Sequence, residues 1–247
     1  MTLVKICGLR DVATAVETAK AGADFIGLMF AESKRKVTPQ ECYDIVEALR
    51  ELRRSEAIAA FDGPQPGEVR GSSWFGLWAD AIEQAALRWR PLIVGVFADQ
   101  PLSEVNQIAE AAGLDLVQLS GGEDWEFARR VVRPVIKAVH VDGSVSADDV
   151  REGIETGRAA VLMLDTKMDG ARGGTGVAFD WSVAAEVGRT QPLMLAGGLT
   201  PGTVAGAVTQ VEPWAVDVSS GVESDGTKDI EKIRAFIRAA KGAPVGG

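Results

Sequence analysis

The sequence is poor in the residues that build metal centres and disulfide frameworks. Its 247 residues include one histidine, His140, and two cysteines, Cys7 and Cys42. A single histidine excludes a multi-histidine metal site, and two cysteines do not define a disulfide framework. Nothing in this composition indicates an oxidising compartment.

Long apolar runs and basic clusters are also missing. The opening MTLVKICGLR has no signal-peptide core, and no stretch is long enough to span a bilayer. The formal net charge is −9, without a dominant cluster of lysine and arginine. We therefore expect a cytoplasmic protein with neither a nucleic-acid nor a membrane partner. A phosphorylated substrate remains open, because backbone amides can bind phosphate in an acidic protein.

What the sequence does contain is a repeated alternation of short apolar runs and amphipathic segments. The runs are LVKIC (3–7), FIGLMF (25–30), LIVGVF (92–97), LDLVQL (114–119), PVIKAV (134–139), AAVLML (159–164), PLMLAG (192–197) and AVDVSS (215–220). Eight β–α units in this length predict an α/β fold, a single (β/α)8 TIM barrel forming one domain over 1–247. A doubly wound sheet is the alternative, but CGLRDV lacks the spacing of a dinucleotide-binding turn.

One region, at about 53–90, interrupts this rhythm. A Gly/Pro-rich loop leads into a tryptophan-bearing helix between the second helix and the third strand. Helical spacing places five residues on one face: Trp74, Trp78, Ile82, Ala85 and Trp89. Two interpretations remain open, an amphipathic helix packed on the outer ring of the barrel and a contact surface for another chain.

Two reactive side chains stand directly at predicted strand ends, where TIM barrels carry their chemistry. Cys7 ends the first run and Asp165 follows the sixth. Each also has an ordinary structural interpretation. A buried cysteine can be a small hydrophobe, and an aspartate in this place can be a helix cap.

The loops after the seventh and eighth runs predict a phosphate site, since barrels often bind phosphate there. GGLTP (197–201) offers Thr200 as a helix N-cap and Pro201 as the first helical residue. SSGVE (219–223) adds two hydroxyls and a glycine. The candidate phosphate-binding residues are Gly197, Gly198, Ser219, Ser220 and Gly221.

Together these stretches resemble the phosphoribosylanthranilate isomerase family. The matching motifs are VKICGLR, AGADFIGLMF, SKRKV, VGVFADQ, LDLVQL, VLMLDTK, GGTGVAFDW, LAGGLTP and VDVSSGVE followed by GTKD. They occur in the family's order over nearly the whole chain, except for about 53–90. The resemblance implies a (β/α)8 barrel that acts in tryptophan biosynthesis on a small phosphoribosyl anthranilate, as a monomer or homodimer. The implied reaction is an Amadori rearrangement that needs no cofactor and no metal.

The resemblance also implies roles for individual residues. Asp165 would be the acid that protonates the furanose oxygen, and Cys7 the base that removes the C2′ proton. Arg35 would bind the anthranilate carboxylate, for which an arginine fork is suited. Asp217 would orient ribose hydroxyls or the anthranilate amine, and Gly174 belongs to a GGTG loop that would close over the substrate.

One position departs from the family pattern. The fourth strand usually ends in QLHG in this family, whereas this chain has QLSG, with Ser120 in place of the histidine. Metal-dependent pentulose-phosphate epimerases need histidines that are absent here, and the lysine and glutamate pattern of indole-3-glycerol phosphate synthase is missing. A non-catalytic or differently specific phosphosugar-binding barrel stays open as the alternative.

Overall fold

The computed structural model describes residues 1–53, 59, 61–65, 67, 69, 71, 73–142, 144–166 and 181–243. The barrel strands are β1 Leu3–Cys7, β2 Phe25–Met29, β3 Leu92–Phe97, β4 Leu116–Leu119, β5 Val135–Val141, β6 Val161–Thr166, β7 Met194–Ala196 and β8 Ala215–Val218. They form a closed barrel in sequence order, and β1 pairs in parallel with both β2 and β8. The predicted (β/α)8 architecture is confirmed.

Helices connect the strands on the outside of this barrel, with one exception, α3. The helices are α1 Val12–Lys20, α2 Pro39–Arg53, α3 Ser73–Trp89, α4 Leu102–Ala111, α5 Trp125–Arg129, α6 Ala147–Glu152, α7 Ser182–Gly188, α8 Val204–Val211 and α9 Ile230–Gly242. A two-stranded antiparallel hairpin, β9 Glu223–Ser224 and β10 Thr227–Lys228, follows β8. The polar loops that this arrangement leaves at the carboxyl ends of the strands form one face of the molecule.

Side-chain alternation along each strand separates two layers. On β1, Val4 and Ile6 face outward and belong to the apolar layer beneath the helices, so Lys5 and Cys7 face the barrel interior. The amino-terminal half of the interior is apolar, with residues such as Leu92 and Ile136 in one cluster. Polar side chains therefore enter the interior from its carboxyl-terminal half.

Helix α3 does not lie in the outer ring, and that interpretation of the insertion is wrong. Ile82 of α3 belongs to the cluster that fills the barrel interior. Trp74 donates from Nε1 to the carbonyl of Ala159, just before β6, at 2.6 Å. At the other side, Trp214, just before β8, donates to Glu83 at 2.9 Å. The helix thus covers the amino-terminal end of the barrel, because the apolar interior there requires a cover.

Candidate active site

A buried ion pair joins the first barrel strand, β1, to the last, β8. The register pairs Lys5 of β1 with Asp217 of β8, and Lys5 Nζ lies 2.8 Å from Asp217 Oδ1. Gly27 on β2 leaves room for this arrangement. A Cβ there would lie 2.9 Å from Cys7 Sγ and 3.0 Å from Lys5 Nζ. An unpaired charge at this depth would be strongly destabilising, so each ion requires the other.

Cys7 ends β1 and is 3% exposed. Burial raises the pKa of its thiol, and the carboxylate of Asp217 raises it further. Lys5 and Lys228 act in the opposite direction, because their positive charges favour the thiolate. Burial outweighs the two lysines, so the pKa of Cys7 stays above its ordinary value and the thiol keeps its proton at neutral pH.

Asp165 is the penultimate residue of β6 and lies beside the single histidine of the chain. The β5–β6 register pairs His140 directly with Asp165, and His140 Nδ1 lies 3.3 Å from Asp165 Oδ2. The other ring nitrogen, Nε2, lies 2.9 Å from the backbone carbonyl oxygen of Ser120. Three neighbouring strand ends, those of β4, β5 and β6, are thereby linked through one imidazole ring.

A cavity of about 190 Å³ joins Asp165 to the loops after β7 and β8. It is lined by Gln118, Met163, Asp165 and residues 196–199 and 217–221. Gly197 and Gly198 have φ of 95° and 61°, a backbone conformation that favours glycine. Gly221 allows the two loops to touch, since a Cβ there would lie 1.9 Å from the carbonyl oxygen of Leu199. All five candidate phosphate-binding residues therefore line one cavity.

The helix after β7 begins later than the sequence predicts. Helix α8 starts at Val204 with Thr203, not Thr200, as its N-cap. The carbonyl of Thr200 still accepts from the amides of Thr203 and Val204 at 3.1 and 3.0 Å. Its amide donates to Thr203 Oγ1 at 3.0 Å, which makes residues 200–203 a separate turn before the helix.

Arg35 is held by a carboxylate of its own chain. Its Nε lies 2.5 Å from Glu223 Oε1, and its Nη2 lies 3.0 Å from Oε2, a two-pronged contact. Lys228 approaches Glu223 Oε1 at 3.1 Å and donates to the carbonyl of Ser219 at 2.8 Å. Burial alone would raise the pKa of Glu223, but hydrogen bonds from Arg35 and Lys228 lower it to about 2. Arg35 also passes over Gly8, where a Cβ would lie 2.6 Å from its Cδ.

Sequence reasoning missed several of these groups. Lys5, Gln118, His140, Glu223 and Lys228 received no role, although each lies in or beside a motif at a strand end. The available signal was a charged or amide residue at an inward-facing strand position, which a barrel interior rarely tolerates without a partner. Gln118 is 5% exposed, and among the residues that the structure describes its Oε1 has no hydrogen-bond partner.

Three further observations concern Gly174, metal ligands and membrane-spanning helices. Gly174, predicted to lie in a closing loop, is outside the described residues. Within the part of the chain that the structure describes, no group of three or more His, Cys, Asp or Glu side chains could hold a metal ion. In the same residues no helix has the length and apolar character needed to cross a membrane.

The fold and the site together define a class of protein. A closed parallel barrel that gathers a thiol, an imidazole–carboxylate pair and glycine loops at its carboxyl-terminal face is a TIM-barrel enzyme.

Comparison with known proteins identifies the family. The family model described as N-(5′-phosphoribosyl)anthranilate (PRA) isomerase matches residues 77–239. An isomerase of that name from Dehalococcoides mccartyi is 40% identical, over 98% of this chain and 97% of its own length. A multifunctional tryptophan biosynthesis protein from Phycomyces blakesleeanus is 44% identical over 96% of this chain, which spans 32% of that protein. The chain belongs to the phosphoribosylanthranilate isomerase family.

Solved structures agree with this assignment. Phosphoribosyl anthranilate isomerase from Thermotoga maritima is 32% identical, with a TM-score of 0.70 over 98% of this chain and all of that one. A phosphoribosyl anthranilate isomerase in complex with reduced 1-(o-carboxyphenylamino)-1-deoxyribulose 5-phosphate is 30% identical, with a TM-score of 0.68. It covers 98% of this chain and all of its own.

Proposed function

We propose that this chain converts N-(5′-phosphoribosyl)anthranilate into 1-(2-carboxyphenylamino)-1-deoxyribulose 5-phosphate, with Asp165 as the acid and Cys7 as the base. The observation that carries the proposal is the cavity that joins Asp165 to the glycine and serine loops after β7 and β8. Asp165 and the glycines and serines of the two loops line the same space, which supports assigning them as the proton donor and the phosphate-binding residues. Cys7 ends a strand that is hydrogen-bonded to β8, whose loop lines the same cavity.

The first step is ring opening. Asp165 donates its proton to the furanose oxygen, and the bond between that oxygen and C1′ breaks. The electron pair of the bond stays on the oxygen, which becomes a hydroxyl, while the anilino nitrogen forms an iminium with C1′. A carboxyl group can donate only if it holds its proton at working pH, so its surroundings decide its competence.

The second step is removal of the C2′ proton. The Cys7 thiolate takes this proton, and the C–H electron pair forms a C1′–C2′ double bond that neutralises the iminium nitrogen. The resulting enolamine tautomerises to the ketone. The thiol of Cys7 must first ionise, and the positive iminium beside it favours the thiolate in the same way as Lys5 and Lys228.

The charged groups of the site suit a substrate with two anionic ends. Glycines at the ends of β7 and β8 allow backbone amides to approach the phosphate closely. Arg35 is assigned to the anthranilate carboxylate, with Glu223 holding the guanidinium in a fixed plane. Asp217, anchored by Lys5, is assigned to ribose hydroxyls or the anthranilate amine.

The proposal also covers the substrate, the cofactor requirement, the compartment and the assembly of the protein. The small-molecule partner is the phosphoribosyl anthranilate substrate, and the reaction needs neither cofactor nor metal. The proposed compartment is the cytoplasm, and the proposed assembly is a monomer or a homodimer. Light scattering of the purified protein decides between the two assemblies.

The test is the loss of substrate fluorescence catalysed by purified protein and by three variants. Cys7→Ala and Asp165→Asn should each lose roughly 10²–10⁴-fold in single-turnover rate, the usual contribution of a general acid or base. Cys7→Ser should also be poor, because a hydroxyl is far harder to ionise than a thiol. All three should still bind the reduced product analogue. A Cys7→Ala protein with near-wild-type turnover would return Cys7 to a packing role, and a silent wild-type protein that binds the analogue would favour a non-catalytic barrel.

A further inference from the structure

His140 lies in contact with the proposed acid and has no assigned role. It sits on β5 with its Cα in register with Asp165 on β6, and both side chains are about one-third exposed, at 36% and 31%. Register on two hydrogen-bonded strands fixes this juxtaposition more firmly than a loop contact could. The two side chains therefore form a dyad at the edge of the site.

The hydrogen-bond partner of His140 Nε2 determines which ring nitrogen carries a hydrogen. A backbone carbonyl can only accept a hydrogen bond, so Nε2, at 2.9 Å from the Ser120 oxygen, must carry a hydrogen. That carbonyl is held in place, because the amide of Ser120 donates to Phe97 at 2.9 Å and its hydroxyl contacts Gln118 at 2.9 Å. With Nε2 protonated, a neutral imidazole presents a lone pair at Nδ1.

A lone pair facing a carboxylate across 3.3 Å would be repulsive, so one proton belongs between Nδ1 and Asp165 Oδ2. The dyad then exists either as an imidazolium with a carboxylate or as an imidazole with a carboxylic acid. Both forms contain the same proton, which the 3.3 Å contact holds between the two side chains.

We propose that His140 is the positioning residue for Asp165, holding on its carboxylate the proton that opens the furanose ring. This inference rests on the proposed function, in which Asp165 is the acid. When the proton moves to the ring oxygen, its bonding pair stays with the dyad, which becomes an imidazole and a carboxylate. The dyad then regains a proton from solvent, to which both side chains are open.

Other titratable groups near β5 are bound elsewhere. In the described residues, Asp165 is the charged side chain at ion-pair distance from the ring. Glu123, on the loop after β4, accepts from the amides of Asp99 and Gly121. Asp142, just after β5, accepts from the amide of Ser144 at 2.9 Å. Changes in the pH profile that follow substitution of His140 therefore report on the dyad.

The experiment measures kcat, KM and the pH profile of kcat for His140→Ala and His140→Gln. Glutamine can still donate to the Ser120 carbonyl but cannot share a proton with Asp165 as an imidazole does, so it controls for the lost structural hydrogen bond. We expect kcat to fall by about 10- to 100-fold in both variants, a part of the general-acid contribution, with KM little changed. We also expect the alkaline limb of the kcat profile to move to lower pH, and added imidazole to restore part of the rate of His140→Ala.

A double-mutant cycle with Asp165→Asn separates the inference from the function on which it rests. If His140 acts through Asp165, His140→Ala should cost little more in the Asp165→Asn background. An equal loss in both backgrounds, or wild-type kcat with an unmoved alkaline limb in His140→Ala, would overturn the role of His140. Wild-type kcat in Asp165→Asn would instead overturn the assignment of the acid. Thermal unfolding and analogue binding show whether each variant is folded.

Discussion

Replacing Glu223 with glutamine tests the electrostatics that hold Arg35 in place. The carboxylate is nearly buried, at 7% side-chain exposure, and contacts Arg35 and Lys228 at 2.5 and 3.1 Å. Its pKa is lowered from 4.5 to about 2, because the hydrogen bonds from these two cations outweigh the effect of burial. A difference of this size corresponds to about 3 kcal/mol of folding free energy at neutral pH.

The contribution of Glu223 to the free energy of unfolding depends on pH in a definite direction. A carboxyl whose pKa is lowered in the folded state stabilises the fold above its unfolded pKa, and the contribution disappears as pH falls through the folded value. The Glu223 contribution should therefore be complete above about pH 5, fall to about half by pH 3 and vanish below about pH 2. Glu223→Gln should lower the free energy of unfolding at pH 7 by about 2–3 kcal/mol, since glutamine retains part of the hydrogen bonding.

Urea unfolding of wild type and variant at pH 7, 5, 4 and 3 measures this difference. A matched control is Glu126→Gln, since Glu126 has a similar contact with Arg129 but is 46% exposed. Solvent screens that pair, so its loss should change stability far less. An equal effect of the two substitutions, or a Glu223→Gln effect that is constant from pH 7 to pH 3, would refute the argument.

Three further predictions concern the base, the cofactor and the insertion. Lys5 lowers the pKa of Cys7, so Lys5→Met should move the rise of kcat/KM with pH to higher pH. Asp217 raises that pKa, so Asp217→Asn should move the rise to lower pH. Shifts of the two variants in the same direction would contradict this. Turnover should persist in excess chelator, whereas activity that returns only with added divalent metal would refute a metal-free mechanism. Trp74→Phe should destabilise the protein by about 1–3 kcal/mol in urea unfolding, because the buried carbonyl of Ala159 loses its donor. Its kcat should be unchanged, and lost turnover at unchanged stability would place the insertion in the site.

The strands were the most predictable part of the molecule, since each is a continuous apolar run. Leu3–Cys7 and Leu92–Phe97 have the predicted bounds. The fourth strand begins at Leu116, two residues later than its run, and Asp115 just before it uses its side chain in a way that the run does not indicate. Its carboxylate accepts from the amide of Ile93 at 2.7 Å and pairs with Arg53 at 2.6 Å. The apolar run alone does not predict these side-chain contacts of Asp115.

Part of the candidate site could be predicted, and which part depends on how far apart the residues lie along the sequence. Residues inside one motif, such as the glycines after β7, could be grouped from the sequence alone. The contact between His140 and Asp165 depends on the register of two strands, and the contact between Arg35 and Glu223 joins residues 188 positions apart. Neither register nor long-range side-chain pairing can be obtained from spacing within a motif. The outer-ring prediction for α3 failed for a similar reason, because an amphipathic face does not specify which apolar surface it will cover.

Helix α3 and the candidate active site lie at opposite ends of the barrel. One end carries the reaction, and the other carries a helix whose contacts, from Ala159 to Trp214, are made with the starts of strands. Substitutions, tags or fused domains introduced near α3 should therefore change assembly, solubility or thermal stability without disturbing the residues that bind and convert the substrate. The insertion is accordingly the part of this chain best suited to engineering.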